Sequence, residues 1–93
     1  MSDLSSQIVE LLRQASSAHH QFETANGKDE DWPLWYAEYL LQPLSEVTGF
    51  KFTKSELTYV LVHLSKEQPV KGPTVEWPVY YADYIAEHYT HAT

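Results

Sequence analysis

The chain has no cysteine, three glycines, and only six lysines and arginines. Without cysteine there is no disulfide framework, no thiolate metal site and no cysteine nucleophile. Three glycines leave no glycine-rich loop for a phosphate, and no G-x-S-x-G stretch is present. The six cations are scattered among thirteen Asp and Glu, for a formal net charge of −7. Nucleic acid is therefore not an expected partner, because phosphate binding needs a basic patch. The acidic run Asp29-Glu30-Asp31 is too short to imitate DNA. The longest apolar stretch, Leu34 to Leu41, is interrupted by Glu38 and falls short of a membrane span. No basic-then-apolar leader opens the chain, so a soluble, cytoplasmic protein with no membrane partner is expected.

Aromatic residues are plentiful: three Trp, seven Tyr and three Phe within a 43% hydrophobic composition. A chain with this much to bury folds rather than staying disordered. Its 93 residues make one domain, 1–93, which buries roughly 60–65% of its unfolded surface.

An internal repeat organises that domain. Residues 31–40 read D-W-P-L-W-Y-A-E-Y-L and residues 76–85 read E-W-P-V-Y-Y-A-D-Y-I. Trp32/Trp77, Pro33/Pro78, Tyr36/Tyr81, Ala37/Ala82 and Tyr39/Tyr84 are identical, and the other five pairs are conservative. A proline in the first helical turn loses nothing, because its N–H would be unpaired there anyway. A carboxylate beside that turn, from Asp31 or Glu76, suits the helix dipole. Trp32, Trp35, Tyr36, Tyr39 and Leu40 then share one helical face, as do Trp77, Tyr80, Tyr81, Tyr84 and Ile85. Leu34, Ala37 and Leu41 make the first copy apolar on its other side too, so it is expected to be the more buried. Pro43 should break or kink it, leaving room for a short fifth helix near residues 44–48 before Gly49.

An amphipathic helix precedes each copy. Ile8, Leu11, Leu12, Ala15, Ala18 and Phe22 predict one over about 5–24, followed by a loop from Gly27 to Asp31. Thr53-Lys54-Ser55-Glu56 has the capping-box form, and Leu57, Val60, Leu61 and Leu64 follow on one face. Gln68-Pro69 should stop that helix. The fold expected is an all-α small helical bundle of four main helices, as two helix-loop-helix units over about 5–48 and 53–90.

Candidate sites are few. His19 lies near the apolar stripe of the first helix, with Glu23 at i+4, while His88 and His91 end the chain's last helix. A His19–Glu23–His88 cluster would suit a zinc-like ion, but this spacing arises on many helices. Neither H-E-x-x-H nor a di-iron Glu-x-x-His pair is present. No metal, cofactor or catalytic residue is therefore expected. His63 and Glu67 form another i,i+4 pair, placed about 120° from their helix's apolar centre and so expected on an exposed face. The two aromatic stripes are expected to pack against each other as core. On that reading Trp32→Ala and Trp77→Ala would each cost about 3–5 kcal/mol. The rival expectation is an aromatic pocket built from Tyr36, Tyr39, Tyr81 and Tyr84.

Ala18, His19, His20, Phe22 and Glu23, an acidic loop, and then Asp31 to Leu40 resemble a motif of small bacterial all-helical proteins of uncharacterised function. The resemblance covers most of the chain and implies a soluble helical protein, with no activity attached. The function expected is a non-catalytic module that binds a protein or self-associates as a homo-oligomer. The alternative is a small-molecule-binding domain with a Tyr/Trp pocket.

Overall fold

The structure, a computed structural model, describes residues 3–89. It contains four helices: α1 (Asp3–Asn26), α2 (Trp32–Thr48), α3 (Lys54–Lys71) and α4 (Trp77–His88). Among the described residues there is no strand. α1 packs against both α2 and α4, and α3 closes the bundle against α2 and, less extensively, α4. The centre is aliphatic: Ile8 and Leu12 of α1, Leu40 and Leu44 of α2, Leu57, Leu61 and Leu64 of α3, and Ile85 of α4 are fully buried. Of the repeated aromatics only Tyr81 is buried, and Trp32, Tyr36, Trp77, Tyr80 and Tyr84 pack around the aliphatic core. This corrects the expectation of an aromatic core. Branched aliphatic side chains fill the narrow space between helices, and the larger rings take the periphery, where a hydroxyl can still find a partner, as that of Tyr80 does in Glu67.

α2 and α4 begin alike. Asp31 and Glu76 hold the N-cap positions, with no side-chain cap bond in either case. Each instead offers its backbone carbonyl to two amides of the first turn, Leu34 and Trp35 in α2 and Val79 and Tyr80 in α4. α2 is not the more buried of the two, because Leu34 is 48% exposed. Nor does Pro43 divide it: α2 runs on to Thr48 with no separate fifth helix. The carbonyl that Pro43 leaves unbonded belongs to Tyr39, on the exposed side of the helix. Beyond the proline, burial of Leu44 and Thr48 holds the last turn in place. Gly49 ends the helix in the left-handed region (φ 74°), its N–H donating to the Ser45 carbonyl.

Thr53 caps α3 as expected. The Glu56 amide donates to Thr53 Oγ1 at 3.1 Å, and the Thr53 amide donates to Glu56 Oε1 at 3.0 Å. Thr53→Ala should therefore cost about 0.5–2 kcal/mol by freeing a first-turn amide. Thr58→Ala removes only a hydroxyl bonded back to the Lys54 carbonyl and should cost much less. Urea unfolding of the two variants checks this, and equal midpoint shifts would contradict it.

Pro69 does not stop α3, which continues to Lys71. The Gly72 amide donates to the Gln68 carbonyl, and Gln68 Nε2 donates to the carbonyls of Gly72 and Val75, both at 2.9 Å. One glutamine thus fastens the helix end to the loop that leads into α4. Gly72 is needed here for space: a Cβ would lie 2.6 Å from the ring of Tyr80.

Candidate functional site

His19 sits on the last third of α1 and is only 7% exposed. Its Nε2–H donates to Asp29 Oδ2 at 3.0 Å, and its Nδ1 lies 3.8 Å from Glu23 Oε1. The i+4 spacing puts Glu23 on the same helical face, and the turn at Gly27 (φ 87°) brings Asp29 back over it. The loop locks around this pair. Glu23 Oε2 accepts the Asp29 amide at 2.9 Å, and Asp29 Oδ1 accepts the Asp31 amide at 3.0 Å. The imidazole also rests between aromatic rings, with Trp35 at 4.8 Å and Tyr36 at 4.9 Å between centroids. His19 is therefore the post on which residues 27–31 and the start of α2 are hung.

Beside it opens a cleft of about 360 Å³. His19, Glu23, Lys28 and Asp29 are its polar lining, Trp32, Tyr36, Trp77 and Tyr81 its aromatic lining, and Leu61 completes it. The four aromatic rings form one continuous series. Trp32 meets Tyr36 at 5.9 Å and 88°, Tyr36 meets Trp77 at 6.3 Å and 79°, and Trp77 meets Tyr81 at 5.1 Å and 68°. The two W-P helix starts meet through the Tyr36–Trp77 contact. Burial raises the pKa of Tyr36, opposed by its hydrogen bond with Ser16, and pushes that of Tyr81 up to about 12. Both phenols stay neutral donors across the ordinary pH range.

The expected four-tyrosine pocket divides in two. Tyr36 and Tyr81 face this cleft, whereas Tyr39 is 40% exposed and stacks on Trp35 at 5.3 Å. Tyr84 lines a different cleft between α3 and α4, together with His63, Glu67, Tyr80 and His88. His88 therefore does not join His19 and Glu23; it lies against Tyr84 at 4.3 Å. The third partner of His19 is Asp29, which the sequence places in a loop with nothing to mark its fold-back. Among the described residues no three His, Asp or Glu side chains are set to hold a metal ion. His91 lies outside the described residues.

His63 is also less solvated than expected. Its side chain is 38% exposed and packs between Tyr59 and Tyr84, and its Nε2 is 2.9 Å from Glu67 Oε2. The Tyr80 hydroxyl donates to Glu67 Oε1 at 2.6 Å. That donation, with Lys71 and His63 nearby, holds the Glu67 carboxyl below its usual range against the opposing effect of burial. The same bond, reinforced by burial, pushes Tyr80 up to about 12.

Two opposite pH windows follow. The raised Tyr80 pKa contributes stability that is complete below an ordinary phenol's 10 and is lost toward about 12. The lowered Glu67 pKa contributes stability above the unfolded 4.5, lost as pH falls through the folded value. Tyrosinate absorbance after a pH jump, read before unfolding, should show Tyr80 and Tyr81 ionising last. In Glu67→Gln, Tyr80 should titrate earlier while Tyr81 stays near 12. A single tyrosine transition near 10, unchanged by the substitution, would refute this reading.

Among the described residues no helix is long and apolar enough to cross a membrane. The chain matches no protein-family model, no curated protein and no solved structure.

Proposed function

We propose that the protein is a small-molecule-binding domain whose site is the cleft walled by Trp32, Tyr36, Trp77 and Tyr81. The observation that carries this is the convergence of four rings from two helices on one volume of about 360 Å³, beside a polar side made by α1 and its loop. Small-ligand sites have this character: concave, mostly apolar, with a few fixed polar groups, and a few hundred Å³ in volume. If the two W-P helices are copies of one unit, as their matching starts support, the site arises where the copies meet. A role in catalysis has less support. The His19–Asp29 pair is spent on holding the loop, and no nucleophile stands beside it among the contacts described. The resemblance to small bacterial helical proteins is compatible with a binding role and adds no activity.

A screen of small aromatic and heterocyclic fragments by protein-observed NMR tests the proposal. Binders should move the indole N–H signals of Trp32 and Trp77 and leave that of Trp35, outside the cleft, nearly still. If no fragment moves either indole, the proposal fails.

An interaction or self-associating module is the second reading. Leu34, 48% exposed, and Tyr59, 68% exposed, face one shallow depression between α2 and α3. Two large apolar side chains are a small fraction of the roughly 800 Å² per partner that a standard interface buries. The cleft is therefore preferred. Sedimentation equilibrium separates the two readings: a dimer abolished by Tyr59→Ser would favour the second.

A further inference from the structure

We infer that the ligand of this cleft is a small organic cation bearing a methylated ammonium group. The inference rests on the binding role proposed above and adds the chemical class of the ligand. Ring geometry and charge support it independently.

Neighbouring rings in the series from Trp32 to Tyr81 stand at 68–88° to one another, with centroids 5.1–6.3 Å apart. These edge-to-face contacts set the four rings in different planes along one cleft, so a ligand there is met from several directions. A flat neutral heterocycle needs only one or two parallel faces to stack on. A compact, roughly spherical group uses walls on several sides. The π face is the negative part of an aromatic ring, and a cation within about 6 Å of it is attracted, most strongly by Trp. Two of these four rings are Trp. A methylated ammonium has the matching properties: it is round, charged, and weakly hydrated enough to leave water for an aromatic surface.

The polar side agrees in sign. Glu23 and Asp29 both line the cleft, on side chains only 34% and 15% exposed, so their charge is poorly screened. The opposing cation of the lining, Lys28, is solvent-exposed and can keep its ammonium in water. The net charge of −7 adds long-range attraction for a cation. An anion would meet the carboxylates of Glu23 and Asp29. The N-termini of α2 and α4 do not reverse this. In each helix Pro33 or Pro78 removes one first-turn N–H, and the Asp31 or Glu76 carbonyl accepts two others.

Choline is a suitable probe, paired with the neutral dimethylbutanol in which a carbon replaces its ammonium nitrogen. The two have the same shape and differ in charge. Titrations followed by tryptophan fluorescence and by the Trp32 and Trp77 indole N–H signals should show choline binding at least about tenfold tighter, equivalent to about 1.4 kcal/mol. Trp77→Ala should abolish choline binding. Because that variant also perturbs packing, two charge variants carry the decision. Glu23→Gln keeps an oxygen for the Asp29 amide and should weaken choline binding severalfold. Lys28→Gln, at an exposed position, should strengthen it. Equal binding of the two probes would overturn the cation assignment and leave the binding role standing, as would neutral fragments binding where choline does not. Opposite effects of the charge variants would also overturn the cation, in favour of an anion. Silence from choline and every fragment would overturn both proposals. Phosphatidylcholine vesicles distinguish the source of the group. Co-sedimentation identifies a lipid headgroup, and protein left in the supernatant while free choline binds identifies a solute; either keeps the methylated-ammonium assignment.

Discussion

Leu12→Ala should remove about 2–5 kcal/mol of folding stability, a large share of the roughly 5–14 kcal/mol a chain of this length has. Leu12 is fully buried on α1, the helix that packs against both α2 and α4. Truncation there loosens two helix interfaces together, and interhelical space closed by branched side chains collapses poorly around a missing isobutyl group. Leu34→Ala, at a leucine 48% exposed, should change stability by no more than about 0.5 kcal/mol. Trp32→Ala and Trp77→Ala should fall below the cost expected of core aromatics, because both rings are only partly buried at the bundle's edge. Urea melts at constant m-value make the comparison. If Leu12→Ala shifts the midpoint no further than Leu34→Ala, the placement of the core is wrong.

His19→Ala should cost about 2–4 kcal/mol, more than any surface substitution in the chain. The side chain is nearly buried, and its removal leaves the Asp29 carboxylate, 15% exposed, without the N–H that faces it. It also empties the space between the rings of Trp35 and Tyr36. His19→Gln, which can still donate to Asp29, should recover part of the loss. The loop should report the change directly. Amides of Asp29 and Asp31, held by Glu23 and Asp29 in the parent, should exchange faster with solvent in His19→Ala and recover in His19→Gln. Unchanged exchange at both amides would show that His19 does not hold the loop.

Local patterns in the sequence foretell the local structure well. The stripe from Ile8 to Leu12, the box at Thr53 and Glu56, and the W-P starts each predict an element that the structure contains. Two prolines mislead, and for one reason: a proline near the end of a helix withdraws a single bond, and burial or a nearby side chain holds the turn regardless. The site is only half legible. Helical periodicity puts Tyr36 and Tyr81 on inward faces, but it cannot tell a ring at the centre of a core from one at its rim. That depends on which neighbour fills the middle, and here leucines from α1 and α3 do. His19 and Glu23 are visible as an i,i+4 pair. Asp29 is not, because its position depends on a three-dimensional turn at Gly27. The signal available was Gly27 followed by an acidic loop residue, too common a pattern to single out.

The way the bundle is wired also bears on when the cleft comes into being. α1 is synthesised before the other three helices described, and one of its two partners is α4, synthesised after them. The cleft's polar side is complete once residues 19–29 have emerged, yet Trp77 and Tyr81 arrive only with α4. During synthesis, at about 5–20 residues per second, the N-terminal part waits several seconds with half a cleft and an uncovered apolar face. A chain stalled or clipped before residue 77 presents carboxylates and two rings but no enclosure. On the proposed binding role, occupancy requires all four helices, and a ligand that binds only the assembled cleft stabilises the folded state against unfolding.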